Sequence, residues 1–214
     1  MDSPLIESIE GIHRTVRSGE RDGSPTRTVV AECTYAAAID DVWDAITTRE
    51  RIPRWFLPIE GDLHVGGRYQ LEGNAGGEVT ACGPPKHFAV TWEFDGQVSW
   101  LTVVLDEEQA GSTRLRLEHI APLDGHWEQF GPSAAGIGWD LAMHGLGEHL
   151  LTGEAVQMDD DVLAGPEGVE AMTRSGQGWC RADIASGTPE AVARHAADNA
   201  IAAYTGQDSD PSTA

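Results

Sequence analysis

Three ionisable side chains recur at helical spacing near the middle of the sequence. Asp140, His144 and Glu148 follow one another at intervals of four, which places them on one face of a helix. A histidine held beside a carboxylate can act as a general base or bind a metal ion. The same spacing also produces ordinary surface pairs. We therefore expect this face to be solvated or covered by the C-terminal segment.

Other sequence patterns that carry chemistry are not found. His144 and His149 are five residues apart, and the segment HGLGEH lacks the glutamate of an HExxH zinc motif. Cys33, Cys82 and Cys180 are isolated, which fits neither a disulfide framework nor a zinc site, so we expect free and buried thiols. No GxSxG sequence marks a nucleophilic serine. We assign no catalytic residue and predict no metal and no cofactor.

The composition excludes several classes of function. The chain has 214 residues and a net charge of −21, and Lys86 is its one lysine. Phosphate groups and anionic membranes are bound through clustered positive charge, so we predict no nucleic-acid partner. The sequence has no run of about 18 apolar residues that could span a membrane, and residues 1–10 lack the apolar core of a signal peptide. We expect a cytoplasmic protein whose acidity reflects either a high-salt cytoplasm or a compositional bias of the genome.

The elements that must position these residues begin with strands. We predict a first secure strand at residues 27–35, and residues 6–16 could add another before a loop at 18–25. A short helix with Asp40 or Asp41 as its N-cap follows, and a second helical turn is broken by Pro53. Further strands are predicted at 62–65, 68–72, 78–81, 87–94, 98–105 and 113–120. The short loops between them predict an antiparallel meander.

A long helix over residues 130–151 follows the strands. It carries a bulky apolar stripe beside a stripe of small residues: Trp139, Met143, Leu146 and Leu150, then Gly138, Ala142 and Gly145. Such a helix packs against a broad surface such as a sheet, and the glycines permit close approach on one side. After a loop at 152–165, we predict two more helices, at 167–185 and from an N-cap at Thr188 to Gly206.

Four blocks of sequence resemble a known superfamily. They are VWDAITTRERIPRWF, DLHVGGRYQL, GEVTACGPPKHFAVTWEF and STRLRLEH, in this order and followed by the glycine-containing helix. The run is similar to the START-like (SRPBCC) superfamily, and within it to a bacterial subgroup of the branch named after the activator of Hsp90 ATPase homologue. The resemblance implies an α+β helix-grip fold, in which an antiparallel sheet wraps around a long C-terminal helix and leaves a cavity. Members of the superfamily bind lipids, hormones or polyketides, and a few are enzymes.

The resemblance also suggests how the chain is divided. We expect an N-terminal strand and loop extension at 1–26, the helix-grip domain at 27–151, a helical extension at 152–206 and a disordered tail at 207–214. The strand at 98–105 is apolar on both faces. We therefore predict that the helical extension covers the face that includes Trp100.

The cavity implied by this fold is the expected ligand site. His119 ends an alternating strand on its inward register and is the best polar candidate, although a hydrogen-bonded core histidine is the commoner outcome. The other predicted wall residues, for which core packing is the alternative, are Trp55, Trp92, Phe94, Trp139, Met143 and Leu146.

Three hypotheses of function follow from the sequence. The leading one is a non-enzymatic binder of a small apolar or amphipathic molecule. The second is a co-chaperone of the Hsp90-activator kind, which requires an exposed contact surface. The third is a cyclase or hydrolase that acts through His119 or His144. A homodimer is compatible with all three.

Overall fold

The computed structural model describes residues 3–156 and 160–206, so the predicted disorder at 207–214 lies outside the described residues. Within this part of the chain, eight antiparallel strands form one sheet in the order β1-β2-β8-β7-β6-β5-β4-β3. The strands are β1 His13–Arg21, β2 Ser24–Tyr35, β3 Ile59–Gly61, β4 Arg68–Leu71, β5 Gly76–Gly83, β6 His87–Phe94, β7 Gln97–Gln109 and β8 Ser112–Pro122. The helices are α1 Pro4–Gly11, α2 Ile39–Thr47, α3 Gly125–Phe130, α4 Ser133–Thr152, α5 Asp160–Ala164, α6 Pro166–Ala185 and α7 Glu190–Thr205, with a 3-10 helix at Ile52–Arg54. This is the predicted α+β helix-grip fold.

Alternation of apolar and polar residues gives the sheet one buried face. Leu115 and Leu117 of β8 are buried, and they pair with Leu105 and Val103 of β7, which are also buried. Cross-strand pairs of this kind stabilise an antiparallel sheet through side-chain contact on one face. The inner face is therefore a continuous apolar surface across the two central strands.

Helix α4 packs on this inner face with its bulky stripe. Trp139, Met143 and Leu146 are buried in the main core together with the inward residues of the strands, and Leu150 packs at its edge. The hydroxyl of Tyr35 in β2 donates a hydrogen bond to the carbonyl of Met143 at 3.0 Å. The prediction that this stripe faces the sheet is confirmed.

Another side of α4 packs against helices from both ends of the chain. Ile137 and Leu141 join Ile9 of α1 and Met172 of α6 in a second hydrophobic cluster. A Cβ atom on Gly136 would lie 2.3 Å from the indole nitrogen of Trp179 in α6. Only glycine leaves room for that indole ring, so the expected close approach on one side of this helix is found here, and α6 is the element that approaches.

A buried ion pair joins the same elements. Arg14 of β1 contacts the Asp140 carboxylate through Nη2 at 2.7 Å and through Nε at 2.9 Å. Ser175 and Trp179 of α6 also donate to this carboxylate. The polar face of α4 is thus covered by the N-terminal strand and the C-terminal extension.

The N-terminal segment differs from the prediction. Residues 4–11 form α1 rather than a strand, with Ser3 as the N-cap and Pro4 in the first turn. Strand β1 then continues through the predicted loop at 18–25. The turn to β2 consists of only Asp22 and Gly23, which have φ values of 52° and 77°. Positive φ at both positions is typical of a two-residue hairpin turn, because it matches the twist of the strands.

Several boundaries after β2 were also predicted wrongly. The segment 62–65 is not a strand; the strand lies just before it, as β3. The N-cap of α2 is Ala38 rather than Asp40 or Asp41, which occupy the first turn. Pro53 lies inside the 3-10 helix, where a proline near the start of a helical turn loses no hydrogen bond.

The C-terminal extension contains two further differences. A short helix, α5, lies within the predicted loop at 152–165. The N-cap of α7 is Pro189 rather than Thr188, because the Thr188 hydroxyl instead donates to the Asp183 carboxylate at 2.8 Å. None of the helices in the described part of the chain is long and apolar enough to cross a membrane.

The C-terminal extension does not cover the Trp100 face, so that prediction was wrong. Helix α6 packs against α1, α4 and β1 instead. The guanidinium of Arg21, at the end of β1, lies over the Trp100 ring at 4.1 Å from its centroid. A long arginine side chain can cover an apolar ring in this way while its charge stays in water.

Candidate ligand-binding site

An apolar cavity of about 160 Å³ lies between α4 and the sheet. We call it the inner cavity. Its described wall is hydrophobic, and the side chains in it that carry a hydroxyl or thiol group are Thr47, Tyr69 and Cys82. The Tyr69 hydroxyl donates to the carbonyl of Thr91 at 2.8 Å, so it is already paired with the backbone. This volume is about that of a cavity that admits benzene.

A second cavity, of about 780 Å³, lies beside the first. We call it the outer chamber. Its wall combines the ends of β6, β7 and β8 with α3, the N-terminal half of α4 and Tyr204 of α7. Ser99, Asp95 and Asp124 make this wall more polar than that of the inner cavity. The outer chamber can therefore contact a polar group that the inner cavity cannot.

Three aromatic residues belong to both walls: Phe56, Trp92 and Trp139. We call these residues the aromatic partition. The centroids of Phe56 and Trp139 are 6.2 Å apart with nearly parallel rings, and those of Trp92 and Trp139 are 4.9 Å apart with the rings inclined at 64°. Contacts of this geometry are favourable beyond the burial of area alone. Trp139 occupies the centre of the partition.

His119 fixes the position of Trp139 through a hydrogen bond. The indole Nε1 of Trp139 lies 3.0 Å from His119 Nδ1. An indole nitrogen can only donate, so Nδ1 accepts and the imidazole proton is on Nε2. Nε2 in turn donates to Ser99 Oγ at 2.7 Å, and the Ser99 hydroxyl donates to the carbonyl of Trp92 at 3.1 Å. Both nitrogens of the ring are therefore engaged with protein groups.

Burial keeps the His119 ring uncharged. The side chain is 7% exposed, and desolvation lowers the pKa of His119 from 6.5 to about 4. A neutral imidazole is what the hydrogen bond from Trp139 requires, because a protonated ring would have no free lone pair. In this arrangement His119 positions Trp139.

The predicted wall residues are divided between the two cavities. Trp55, Trp92, Trp139, Met143 and Leu146 line the inner cavity. Phe94 lies at the end of β6, is 55% exposed and lines only the outer chamber, as does His119. The sequence predicted one cavity lined by all of these side chains, whereas the structure has two adjoining cavities that share them.

Some wall residues were missed in the sequence. Tyr204 lies far along the chain in α7, and its hydroxyl donates to the carbonyl of Ala134 at 2.9 Å. A Cβ on Gly138 would lie 3.0 Å from that hydroxyl. The stripe of small residues on α4 was the available signal that another element approaches there, but it does not identify which one.

The polar face of α4 lies away from both cavities. Asp140 and His144 are buried but belong to neither wall. Desolvation lowers the pKa of His144, with Glu148 and Glu167 as the nearby charges that oppose it. His149 Nδ1 is 2.7 Å from the carbonyl of Glu154, so this ring is also paired with the protein. Among residues 3–156 and 160–206, no three His, Cys, Asp or Glu side chains are placed to hold a metal ion together.

The three cysteines are free thiols, but they are not all buried. Cys82 is exposed at the edge of the inner cavity, which contradicts the expectation of burial. Cys33 is largely enclosed, and desolvation raises its pKa to about 11, so it remains a thiol.

Comparison with known families assigns the chain to one of them. The model of the family described as activator of Hsp90 ATPase homolog 1-like protein matches residues 36–150, which is more than half of the sequence. The chain belongs to this family. The matched region contains every residue that lines the inner cavity, whereas Tyr204 of the outer chamber lies beyond it. A search of curated proteins found no match.

Solved structures share the fold over most of the chain. The crystal structure of CalU16 from Micromonospora echinospora is 28% identical, covers 80% of this chain and 97% of its own, and has a TM-score of 0.66. Its solution structure is 27% identical, with 82% and 96% coverage and a TM-score of 0.70. The Aha1 dimer from Colwellia psychrerythraea is 16% identical, with 59% and 97% coverage and a TM-score of 0.51, which shows likeness of fold alone.

Proposed function

We propose that this protein binds a small apolar or amphipathic molecule between α4 and the sheet and does not transform it. The inner cavity is the observation that carries the proposal. Binding sites of this kind are concave and mostly apolar, with a few polar groups that orient the ligand. The inner cavity supplies the apolar wall, and the outer chamber beside it supplies the polar groups.

The wall of the inner cavity favours a hydrophobic occupant. Buried apolar side chains such as Leu101, Leu117 and Leu146 form much of it. An apolar ligand in contact with this wall would be removed from water, which stabilises binding by about 25 cal/mol per Å² of apolar surface.

Toluene is a suitable probe because it is about the size of benzene, which such cavities admit. We expect saturable binding to the full chain by calorimetry, together with an increase in thermal stability. The variant Ala142→Leu places three further carbon atoms into the inner cavity, since Ala142 is a buried wall residue. We expect this variant to lose toluene binding while it remains at least as stable as the wild type.

The matched control is Ala135→Leu. Ala135 lies on the same helix and lines only the outer chamber, so this variant should keep its toluene affinity. If the wild type does not bind toluene, or if Ala142→Leu binds it as well as the control does, then the inner cavity is not the ligand site.

Membership of the family supports a second candidate, a protein-interaction module of the Hsp90-activator kind. Such a module uses an exposed surface and does not need the inner cavity. Capture of purified Hsp90 by the wild type and equally by Ala142→Leu would support this candidate. Failure of both to capture Hsp90 would reject it.

A reaction catalysed through His119 or His144 receives less support. Both nitrogens of His119 are hydrogen-bonded to the protein, so neither is available as a general base in this arrangement. His144 lines neither the inner cavity nor the outer chamber.

A further inference from the structure

We infer that the inner cavity and the outer chamber form one binding site for an elongated amphiphile whose polar end is positively charged. The inference rests on the proposed function and adds the chemical class of the ligand. The apolar end would occupy the inner cavity, and the cationic end would occupy the outer chamber.

The aromatic partition is what makes the two spaces one site. Phe56, Trp92 and Trp139 are side chains that both walls share. The two cavities therefore meet at these side chains, and the proposed ligand would pass between the cavities there. The hydrogen bond from Trp139 to His119 holds the partition in the position seen here. An apolar group that passes Trp139 from the outer chamber reaches the hydrophobic wall of the inner cavity.

The outer chamber presents several aromatic rings to its contents. Besides the partition, Phe94 and Trp127 line it, and Tyr204 completes the wall on the side of α7. The face of an aromatic ring carries partial negative charge and attracts cations, and several such rings together form the usual site for a quaternary ammonium group. A chamber walled by such rings suits a cation better than an anion.

The charges of the outer chamber point in the same direction. Its described wall contains Asp95 and Asp124 but no lysine and no arginine, and its two histidines are His119 and His126. The carboxylate of Asp124 also accepts a hydrogen bond from the backbone N–H of Trp127 at 3.0 Å, which holds it at the start of α3. The net charge of the whole chain is −21. An anionic head group would meet two like charges and neither lysine nor arginine in the described wall, whereas a cationic one would be attracted.

Three phenylbutyl compounds that differ in the charge of the head group test the inference. They are phenylbutyl trimethylammonium, phenylbutanol and phenylbutyrate, each with a phenyl ring that fits the inner cavity. Titration of the full chain by calorimetry at low salt and about pH 8, which is above the ordinary pKa of a histidine, gives their affinities. We expect the ammonium compound to bind most tightly and phenylbutyrate most weakly, with at least roughly a tenfold ratio between them. The indole N–H resonance of Trp139 should shift with all compounds that bind.

The double variant Asp95→Asn/Asp124→Asn removes both charges and keeps the backbone. Asn tolerates the positive φ of 49° at Asp95 and caps a helix as well as Asp does at position 124. We expect the ratio of ammonium to carboxylate affinity to fall by about fivefold. The affinity for the uncharged alcohol should not change, which shows that the variant is folded and that the chamber is intact.

The outcomes separate the inference from the proposed function. Equal affinities for the three compounds, or tightest binding of phenylbutyrate, would overturn the charge preference while toluene binding still supports a ligand cavity. Binding of toluene without any of the phenylbutyl compounds would overturn the joined site. Failure of toluene and of all three compounds would reject the proposed function itself.

Discussion

The ion pair between Arg14 and Asp140 should be the most sensitive point of the fold. The Asp140 side chain has no exposed surface and that of Arg14 is 8% exposed. The Oδ2 atom of Asp140 accepts hydrogen bonds from Arg14, Ser175 and Trp179. The Oδ1 atom of Asp140 has no hydrogen-bond partner among the described residues. We predict that Arg14→Met, which keeps much of the hydrocarbon stem and removes the charge, will strongly reduce the free energy of unfolding.

The structure sets the size of this effect. Removal of one partner from a buried ion pair typically costs 3–5 kcal/mol, because the other charge stays buried without compensation. Arg14 also donates to the carbonyl of Ile12 at 3.0 Å, and such a bond contributes about 1 kcal/mol. We therefore expect a loss of about 4–6 kcal/mol. That is a large fraction of the 5–15 kcal/mol that stabilises a typical domain.

A double-mutant cycle isolates the contribution of the pair. Asp140→Asn keeps an oxygen that can accept from Ser175 and Trp179 but carries no charge. Because the double variant Arg14→Met/Asp140→Asn contains no buried charge, its loss of stability should be smaller than the sum of the two single losses, by about 2–3 kcal/mol. Urea unfolding, followed by tryptophan fluorescence, measures each free energy.

Arg194→Met is the matched control. Arg194 pairs with Glu190 on the surface of α7, where the two side chains are 65% and 62% exposed, so the same substitution should leave the urea midpoint unchanged. Strictly additive single losses, or an Arg14→Met midpoint equal to that of the control, would refute the reasoning.

Three further predictions concern stability. Burial holds the pKa of His119 at about 4, against 6.5 in the unfolded chain, so the folded state binds fewer protons between these values. The stability contributed by His119 should be complete above pH 6.5 and should decrease by about 3 kcal/mol as the pH falls to below 4. If the difference in free energy of unfolding between the wild type and His119→Gln stays constant over this range, the prediction is wrong. Gly136→Ala should lower the urea midpoint, because the added Cβ would lie 2.3 Å from Trp179. The control Gly125→Ala should leave the midpoint unchanged, because no heavy atom lies within 4 Å of its Cβ. Equal midpoints for the two variants would be inconsistent with the packing described. A chain that ends at Gly153 should melt at a lower temperature and aggregate, because Ile137 and Leu141 lose their cover, and an unchanged melting temperature would argue against this role of the extension.

Periodic elements could be predicted from the sequence because burial leaves a regular pattern in them. The stripe of Trp139, Met143 and Leu146 on α4 and the alternation of β8 are examples. Strand β1 was predicted only in part, because it lies at the edge of the sheet and most of its side chains are exposed. Its backbone hydrogen bonds to β2 leave no pattern of apolar residues in the sequence.

The candidate site was predicted at the level of its wall but not of its shape. Inward register placed His119 near the cavity, yet its bonds to Ser99 and Trp139 depend on three elements that meet only in the folded chain. The pairing of Arg14 with Asp140 spans 126 positions of sequence. Contacts of this range have no local signature. Helical spacing therefore predicted that the Asp140 face is either solvated or covered by the C-terminal segment, but it could not identify Arg14 as the partner of Asp140.

The helical extension has a direct connection with the outer chamber. Asn199 of α7 donates to the carbonyl of Gln129 in α3 at 3.0 Å, and Tyr204 donates to Ala134 at the start of α4. These bonds hold α3 and the beginning of α4 in the positions that close the chamber. The described wall of the inner cavity lies within the family region at 36–150, and so does that of the outer chamber except for Val29 of β2 and Tyr204 of α7. The extension therefore adds one side chain to the wall of the outer chamber, and through these two hydrogen bonds it also positions the elements that supply part of the remainder.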